Sequence, residues 1–391
     1  MNVTSGGNEL LKESLWETKN RRGRKRVIVT KPLPGERWLH LLFEANCRVE
    51  ICQSEEILSS KEIIKAIGEH CDGAIGQLTE QWNEEVFRTL KHAGGVVYSN
   101  YAVGYNNVDV SAATRCGIAV GNTPGVLTET TAELAIALTL AAARRIVEAD
   151  GFMRSGKYIG WLPTLYLGNL LFGKTVGVIG AGRIGATYAR MMVKGFSMDL
   201  IYHDIRRNHD LERDLIQFGE FVHSSGRKEV RVTYSKSIDR VLKEADVISL
   251  HPVLDTSTRH LINPERLRLM KKDAILVNAS RGPVIDEAGL VAHLKTHPEF
   301  RVGLDVYENE PSTAQGLRDC PNAVIVPHIG SATGWTRKGM SILAAANIAA
   351  VLNRYPAWGE TNDMHPFLSN TPPKAAPSIV NAKDVGILPY S

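Results

Sequence analysis

Arg281, Glu310 and His328 are three side chains of unlike chemistry, each just past a short apolar run, in "LVNASRGPVID", "GLDVYENEP" and "AVIVPHIGSAT". A histidine titrates near neutral pH and can give or take a proton at a reacting oxygen. A carboxylate beside it favours the imidazolium and fixes the ring, a role that suits Glu310. A guanidinium matches the two oxygens of a small carboxylate in a forked hydrogen bond and polarises an adjacent ketone. Together the three suit protonation of a 2-oxo acid at its carbonyl oxygen while the carbon receives a hydride. Singly, each has a plainer explanation: a surface ion pair, a Glu-Pro loop, a structural histidine.

A hydride needs a carrier, and "VGVIGAGRIG" supplies a place for one. Gly180, Gly182 and Gly185 stand in G-x-G-x-x-G spacing after an apolar strand and at the start of a helix near Arg183, and Asp204 closes the next strand. The first glycine permits a tight turn, the second lets backbone approach a pyrophosphate, and the third lets helix pack on strand. Helix N–H groups attract the phosphates. Asp204 is placed to accept from the adenosine ribose hydroxyls and to repel a 2′-phosphate, which favours NAD(H); Arg206 and Arg207 follow it and leave NADP(H) as the alternative.

These residues need strands whose carboxyl ends meet. Short β-branched runs alternate with amphipathic stretches from residue 26 to 121, and again from 175 through "TVGVIG", "DLIYHD", "DVISL", "AILVNAS", "RVGLDV" and "AVIVP". Continuous apolar runs separated by helices predict α/β architecture, two doubly wound parallel-sheet domains covered on both faces. One helix is expected from Thr128 to about Asp150 and another from about Thr333 to Asn353, followed by a Pro-rich, loop-like end. The stretch from Arg206 to Val241, with "HSSGRKEVRV", reads as a surface insertion or small hairpin.

Composition excludes several classes. With 391 residues, 43% hydrophobic, 23% charged and a net charge of +4, the chain is an ordinary globular protein. Arg21-Arg22-Gly23-Arg24-Lys25-Arg26 is the one basic run and reads as a solvated flank, so neither nucleic acid nor membrane is an expected partner. Five cysteines without a CxxC pair fit reduced thiols inside a cell. The longest apolar segment, Leu134 to Ala143, is too short for a bilayer. The acidic residues Glu9, Glu13 and Glu17 argue against a targeting leader. His293 and His297 lack a third ligand, so no metal is expected. Ser280 lacks a nucleophile elbow. His251 reads as structural or near the adenine, and Trp161 as core or as a residue reaching an active site across a dimer.

"NTPGVLTETTAE", "VGVIGAGRIG", "LVNASRGPVIDEAGL", "GLDVYENEP" and "VPHIGSAT" resemble the D-isomer-specific 2-hydroxyacid dehydrogenase family from about residue 26 to 355. Within it, "RVEIC", "GQLTE", "YAVGYNNVDV", "SLHPVLD" and "PSIVNAK" are similar to the plant-type, NADH-dependent hydroxypyruvate reductase (glycerate dehydrogenase) subgroup. The resemblance implies Arg281, Glu310 and His328 as the catalytic set. It implies a Rossmann dinucleotide-binding domain, 123–329, inserted in a flavodoxin-like substrate domain formed by 26–122 and 330–391, after a flank of 1–25. It also implies a homodimer packed through the helix near 128–150. Val103 and Gly104 match a loop whose N–H groups receive the substrate carboxylate. Thr131 and Asp305 match positions beside the nicotinamide, and Arg183 and Ile184 the pyrophosphate turn. Ala279, Ser280 and Ser331, in the same motifs, complete the candidate cofactor contacts. The implied activity is reduction of hydroxypyruvate to D-glycerate, and of glyoxylate to glycolate. A 2-hydroxyacid dehydrogenase of other preference, or a non-enzymatic NADH sensor on this fold, is the alternative. His251 and Pro252 are adjacent where much of the family has His-x-Pro. The chain ends Leu388-Pro389-Tyr390-Ser391 where plant relatives carry Ser-Lys-Leu, so a cytoplasmic location is the default expectation.

Overall fold

Apolar runs without a polar face must be buried on both sides, and the central strands of this chain are. The structure, a computed structural model, describes residues 15–226, 228–360 and 363–390. They fall into two compact units, one of residues up to Leu127 together with those from Thr333 onward, the other Thr128–Ala332. Both boundaries lie at helix starts, a few residues beyond the expected 122 and 329.

The second unit is a seven-stranded, all-parallel sheet in the order β13-β12-β11-β10-β7-β8-β9. Its strands are β7 (Thr175–Ile179), β8 (Asp199–His203), β9 (Val232–Tyr234), β10 (Val247–Leu250), β11 (Ile275–Asn278), β12 (Arg301–Leu304) and β13 (Ala323–Ile325). Alternation feeds two cores from one run: Val176, Val178, Val247, Ile275 and Val277 pack on one face, and Ile179, Ile248, Leu250 and Leu276 on the other. Strand order reverses between β7 and β10, the position at which parallel sheets open a ligand crevice at their carboxyl ends.

The first unit is a six-stranded sheet in the order β1-β3-β2-β4-β5-β6. Its strands are β1 (Trp16–Lys19), β2 (Lys25–Val29), β3 (Cys47–Cys52), β4 (Gly73–Gly76), β5 (Val97–Asn100) and β6 (Ala119–Gly121). All pairs are parallel except β1 on β3. The helix Gly334–Leu352 returns to this unit, capped by Thr333, whose side chain accepts from the Thr336 N–H at 3.2 Å. The tail after it is ordered by buried Ser378 and Asn381, the latter accepting from the Val120 N–H at 2.9 Å.

Three expectations are corrected. The flank does not run to residue 25: residues 1–14 lie outside the described residues, but Trp16–Lys19 is an edge strand. Arg26 of the basic run is bound to Glu50 and to the Ala66, Ile67 and His70 carbonyls, closing the end of the helix Ser60–Ile67. The stretch 206–241 is no hairpin; it holds the helix His209–Ser224, parallel strand β9 and the start of the helix Ile238–Glu244. The helix expected over 128–150 is two helices, Thr128–Ala143 and Ile146–Arg154. They are broken at Arg145, which has φ 55° while the Asn169 N–H takes the Ala143 carbonyl.

Candidate active site

β12 and β13 run parallel and end side by side, and the segments beyond them carry the candidate proton donor. His328 Nδ1 lies 2.8 Å from Glu310 Oε2, which leaves Nε2 for another partner. The other Glu310 oxygen accepts from the Tyr307 N–H at 3.1 Å. Burial pushes the Glu310 carboxyl upward. The hydrogen bond and charge of His328, with the Tyr307 N–H and the charge of Arg281, outweigh it and hold Glu310 below the usual glutamate value.

His328 has φ 50°, a conformation that costs a non-glycine residue energy unless its surroundings impose it. Asp305 imposes it. Its carbonyl accepts from the His328 N–H at 2.9 Å, and its two carboxylate oxygens accept from the Ile329 and Gly330 N–H groups at 2.6 and 2.8 Å. Thr131 donates to the Gly330 carbonyl at 3.2 Å. Asp305 is 1% exposed, and burial first, with the charge of Glu310, raises its carboxyl against those two N–H groups and the charge of His328.

Arg281 follows β11. The Asn278 side chain donates to its carbonyl at 2.9 Å and accepts from the Ser280 hydroxyl at 2.8 Å, so Ser280 is spent on shaping the turn. Burial lowers the guanidinium's pKa and the charge of Glu310 opposes that. Gly282 lets this segment touch the one that carries Glu310, because a Cβ there would sit 1.8 Å from the Tyr307 carbonyl oxygen. Arg281, Asp305, Glu310 and His328 thus form one interacting group.

Gly180, Gly182 and Gly185 form the turn after β7. Gly180 has φ 89°, and a Cβ on it would lie 2.7 Å from the His251 backbone. A Cβ on Gly182 would meet nothing within 4 Å, which is the open approach a pyrophosphate needs at the first turn of the helix Arg183–Phe196. Ile184 packs into the core, and Arg183 is lowered in pKa by burial. Asp204 accepts from the Ala181 N–H at 2.7 Å, so its carboxylate lies against the turn. Arg206 is exposed, whereas Arg207 bonds both Glu212 oxygens at 2.9 Å. The turn fits an NAD-type dinucleotide, with Gly180, Gly182 and Asp204 as the residues to hold it. His251 is half-buried against Tyr188, 2.8 Å from the Ser249 hydroxyl, and the loss of water around its ring pushes it down to about 3. Ala279 is buried and Ser331 half-buried. The rings of His293 and His297 stack at 3.9 Å.

Val103 and Gly104 belong to the first unit, in the loop after β5. Their carbonyls accept from Asn122 at 2.8 Å and Asn100 at 2.9 Å. Among the described residues neither N–H meets an acceptor. Buried Asn107 ties the loop's far end to the Gln77 and Glu80 carbonyls at 3.1 and 2.9 Å.

A family model for the NAD binding domain of D-isomer specific 2-hydroxyacid dehydrogenases matches residues 136–330. A glycerate dehydrogenase of Cucumis sativus is 60% identical over 373 residues, 95% of this chain and 98% of that protein. The chain belongs to the D-isomer specific 2-hydroxyacid dehydrogenase family. It is an oxidoreductase acting on the CH–OH group of small hydroxy acids. A glyoxylate reductase of Korarchaeum cryptofilum is 42% identical over 83% of this chain and 92% of its own. Among solved structures, an NADPH-dependent glyoxylate/hydroxypyruvate reductase of Sinorhizobium meliloti superposes with TM-score 0.70 at 28% identity, covering 85% of this chain and 95% of that one. No helix among the described residues is long and apolar enough to cross a membrane.

For a family member, the residues passed over by motif reasoning are those that hold backbone: Asn100, Asn107, Asn122, Glu287 and Glu308. Asn100 and Asn107 lie inside or beside "YAVGYNNVDV", and Glu287 inside "VIDEAGL". Their types suggest a turn or a helix start, and only the tertiary fold reveals what they hold.

Proposed function

We propose that this dehydrogenase reduces hydroxypyruvate to D-glycerate with NADH, and glyoxylate to glycolate as a second substrate. The observation that carries this is the 2.8 Å contact of His328 Nδ1 with Glu310, which leaves Nε2 as the proton donor, while the charge of Arg281 acts on Glu310. Arg281 holds the substrate carboxylate in a forked hydrogen bond. A bound nicotinamide supplies the hydride to C2. His328 gives its proton to the carbonyl oxygen, so that two electrons and two hydrogens reach the substrate and His328 is recharged from solvent. Glu310 supports the imidazolium before transfer. Asp204 sets the preference for NADH over NADPH by repelling a 2′-phosphate, and Arg207, held by Glu212, does not offset it.

We also propose a homodimer through the helix Ile146–Arg154 and the segment after it. Val147, Ile159, Trp161, Leu167, Leu170 and Phe172 are all exposed there, more apolar surface than a lone protomer ordinarily leaves in water. Steady-state rates with hydroxypyruvate, glyoxylate and a branched 2-oxo acid, each with NADH and NADPH, test the substrate and cofactor assignment. Hydroxypyruvate with NADH should give the highest kcat/KM; preference for the branched acid or for NADPH would refute it.

A further inference from the structure

The Glu310–His328 contact depends on where the loop after β12 stands, and that loop is held by an acid outside the group described above. Glu287 opens the helix Glu287–Thr296 and is 4% exposed. One of its oxygens accepts from the Glu308 N–H at 2.7 Å and the other from the Ala314 N–H at 2.7 Å. These two N–H groups flank the segment 309–313, which contains Glu310. An acid in the first turn of a helix is common because of the helix dipole. That preference asks only for a charge near the helix end, not for burial with both oxygens committed to another segment.

The attachment is reciprocal. Glu308 Oε1 lies 2.6 Å from His260 Nε2 and accepts from Arg259 at 3.1 Å, while its other oxygen accepts from the Glu287 N–H at 3.4 Å. His260 in turn donates its N–H to the Pro283 carbonyl at 2.8 Å. The segment that follows Arg281 and the segment that carries Glu310 are therefore joined at Glu287, at Glu308 and at the close approach of Gly282 to Tyr307.

We propose that Glu287 is a positioning residue for the reaction: it fixes the loop that presents Glu310 to His328. This rests on the reading of Glu310 and His328 as the working pair. The groups that face the His328 imidazole are Glu310 and Asp305, with Arg281 facing Glu310.

The test is Glu287→Gln in the full chain. The amide keeps the size of the side chain but turns an NH2 toward one of two N–H donors, so one attachment is lost. The expected result is a roughly 10- to 100-fold fall in kcat/KM with hydroxypyruvate and NADH. The alkaline limb of its pH profile should move to lower pH, with NADH affinity and Tm close to those of the parent. Added to Glu310→Gln, the same substitution should cost less than about 2-fold, because its effect passes through Glu310. An unchanged rate and profile, an equal loss on the Glu310→Gln background, or a parallel fall in NADH affinity and Tm would each overturn the role of Glu287 alone. Full turnover by Glu310→Gln itself would overturn the working pair, and this inference with it.

Discussion

Replacing Glu310 by Gln removes one negative charge and little else. The amide oxygen can still accept from the Tyr307 N–H, so the loop keeps its local bond, while the oxygen 2.8 Å from His328 Nδ1 becomes neutral or an NH2. Both side chains are only about a quarter exposed, at 24% and 27%, so solvent screens the pair incompletely. A hydrogen bond to a charged group in such a setting contributes about 1.5–3 kcal/mol. At about 1.4 kcal/mol per decade, that is roughly 10- to 150-fold in rate and about 1 to 2 pH units. The sign follows from Glu310 itself. Its carboxyl is held below the usual value, so it is anionic through the neutral range and stands against the ring as a charge. A carboxylate beside an imidazole favours the protonated ring, and the substitution withdraws that support. The alkaline limb of kcat/KM for reduction should therefore shift to lower pH, with the rate at neutral pH falling by the stated factor. NADH consumption followed by absorbance across pH 5 to about 10, with hydroxypyruvate below KM, measures both. A limb that stays in place, or one that moves to higher pH, would refute the pairing.

Asp204→Ala should raise the NADPH-to-NADH ratio of kcat/KM by about 10-fold or more, because a charged acceptor for the ribose hydroxyls is lost together with the repulsion of a 2′-phosphate; competition kinetics with the two cofactors would show it. Asp305→Asn leaves one good acceptor for the two N–H groups of Ile329 and Gly330, so His328 loses its imposed backbone and kcat should fall by about 100-fold while the fold persists by circular dichroism. Asp199→Asn should lower Tm at neutral pH. Burial raises this carboxyl, but the backbone and side-chain hydrogen bonds of Arg231, with the charge of Lys228, hold it below the usual value. Its stabilisation is present above the unfolded carboxylate pKa and is lost as pH falls through the lower folded one, so the Tm difference should close under acid.

The parallel sheets were legible because their strands are buried on both faces, so Val27-Ile28-Val29 or "AILVN" shows no polar alternation. The glycine turn was legible because its spacing answers a steric demand, and Arg281, Glu310 and His328 because each stands where a strand stops. What failed was set by tertiary contacts. Trp16–Lys19 is a strand with two charged residues and gains its place through backbone pairing with β3. The helix His209–Ser224 hides its buried Leu211, Leu215 and Val222 among acids and histidines, and β9, at the sheet edge, is only half-buried. The break at Arg145 follows a run of good helix formers and depends on Asn169 reaching the Ala143 carbonyl. Glu287 is invisible for the same reason, since its partners are backbone groups at Glu308 and Ala314.

The measurement that bears most directly on the central claim is NADH oxidation by the unaltered protein and by His328→Gln, with NADH binding followed in parallel by fluorescence. The parent should consume NADH stoichiometrically with hydroxypyruvate, and the variant should lose at least about 100-fold in kcat, the scale of general acid catalysis, while binding NADH with the parent's affinity. Turnover by the variant at the parent's rate, or no consumption by the parent, would contradict it.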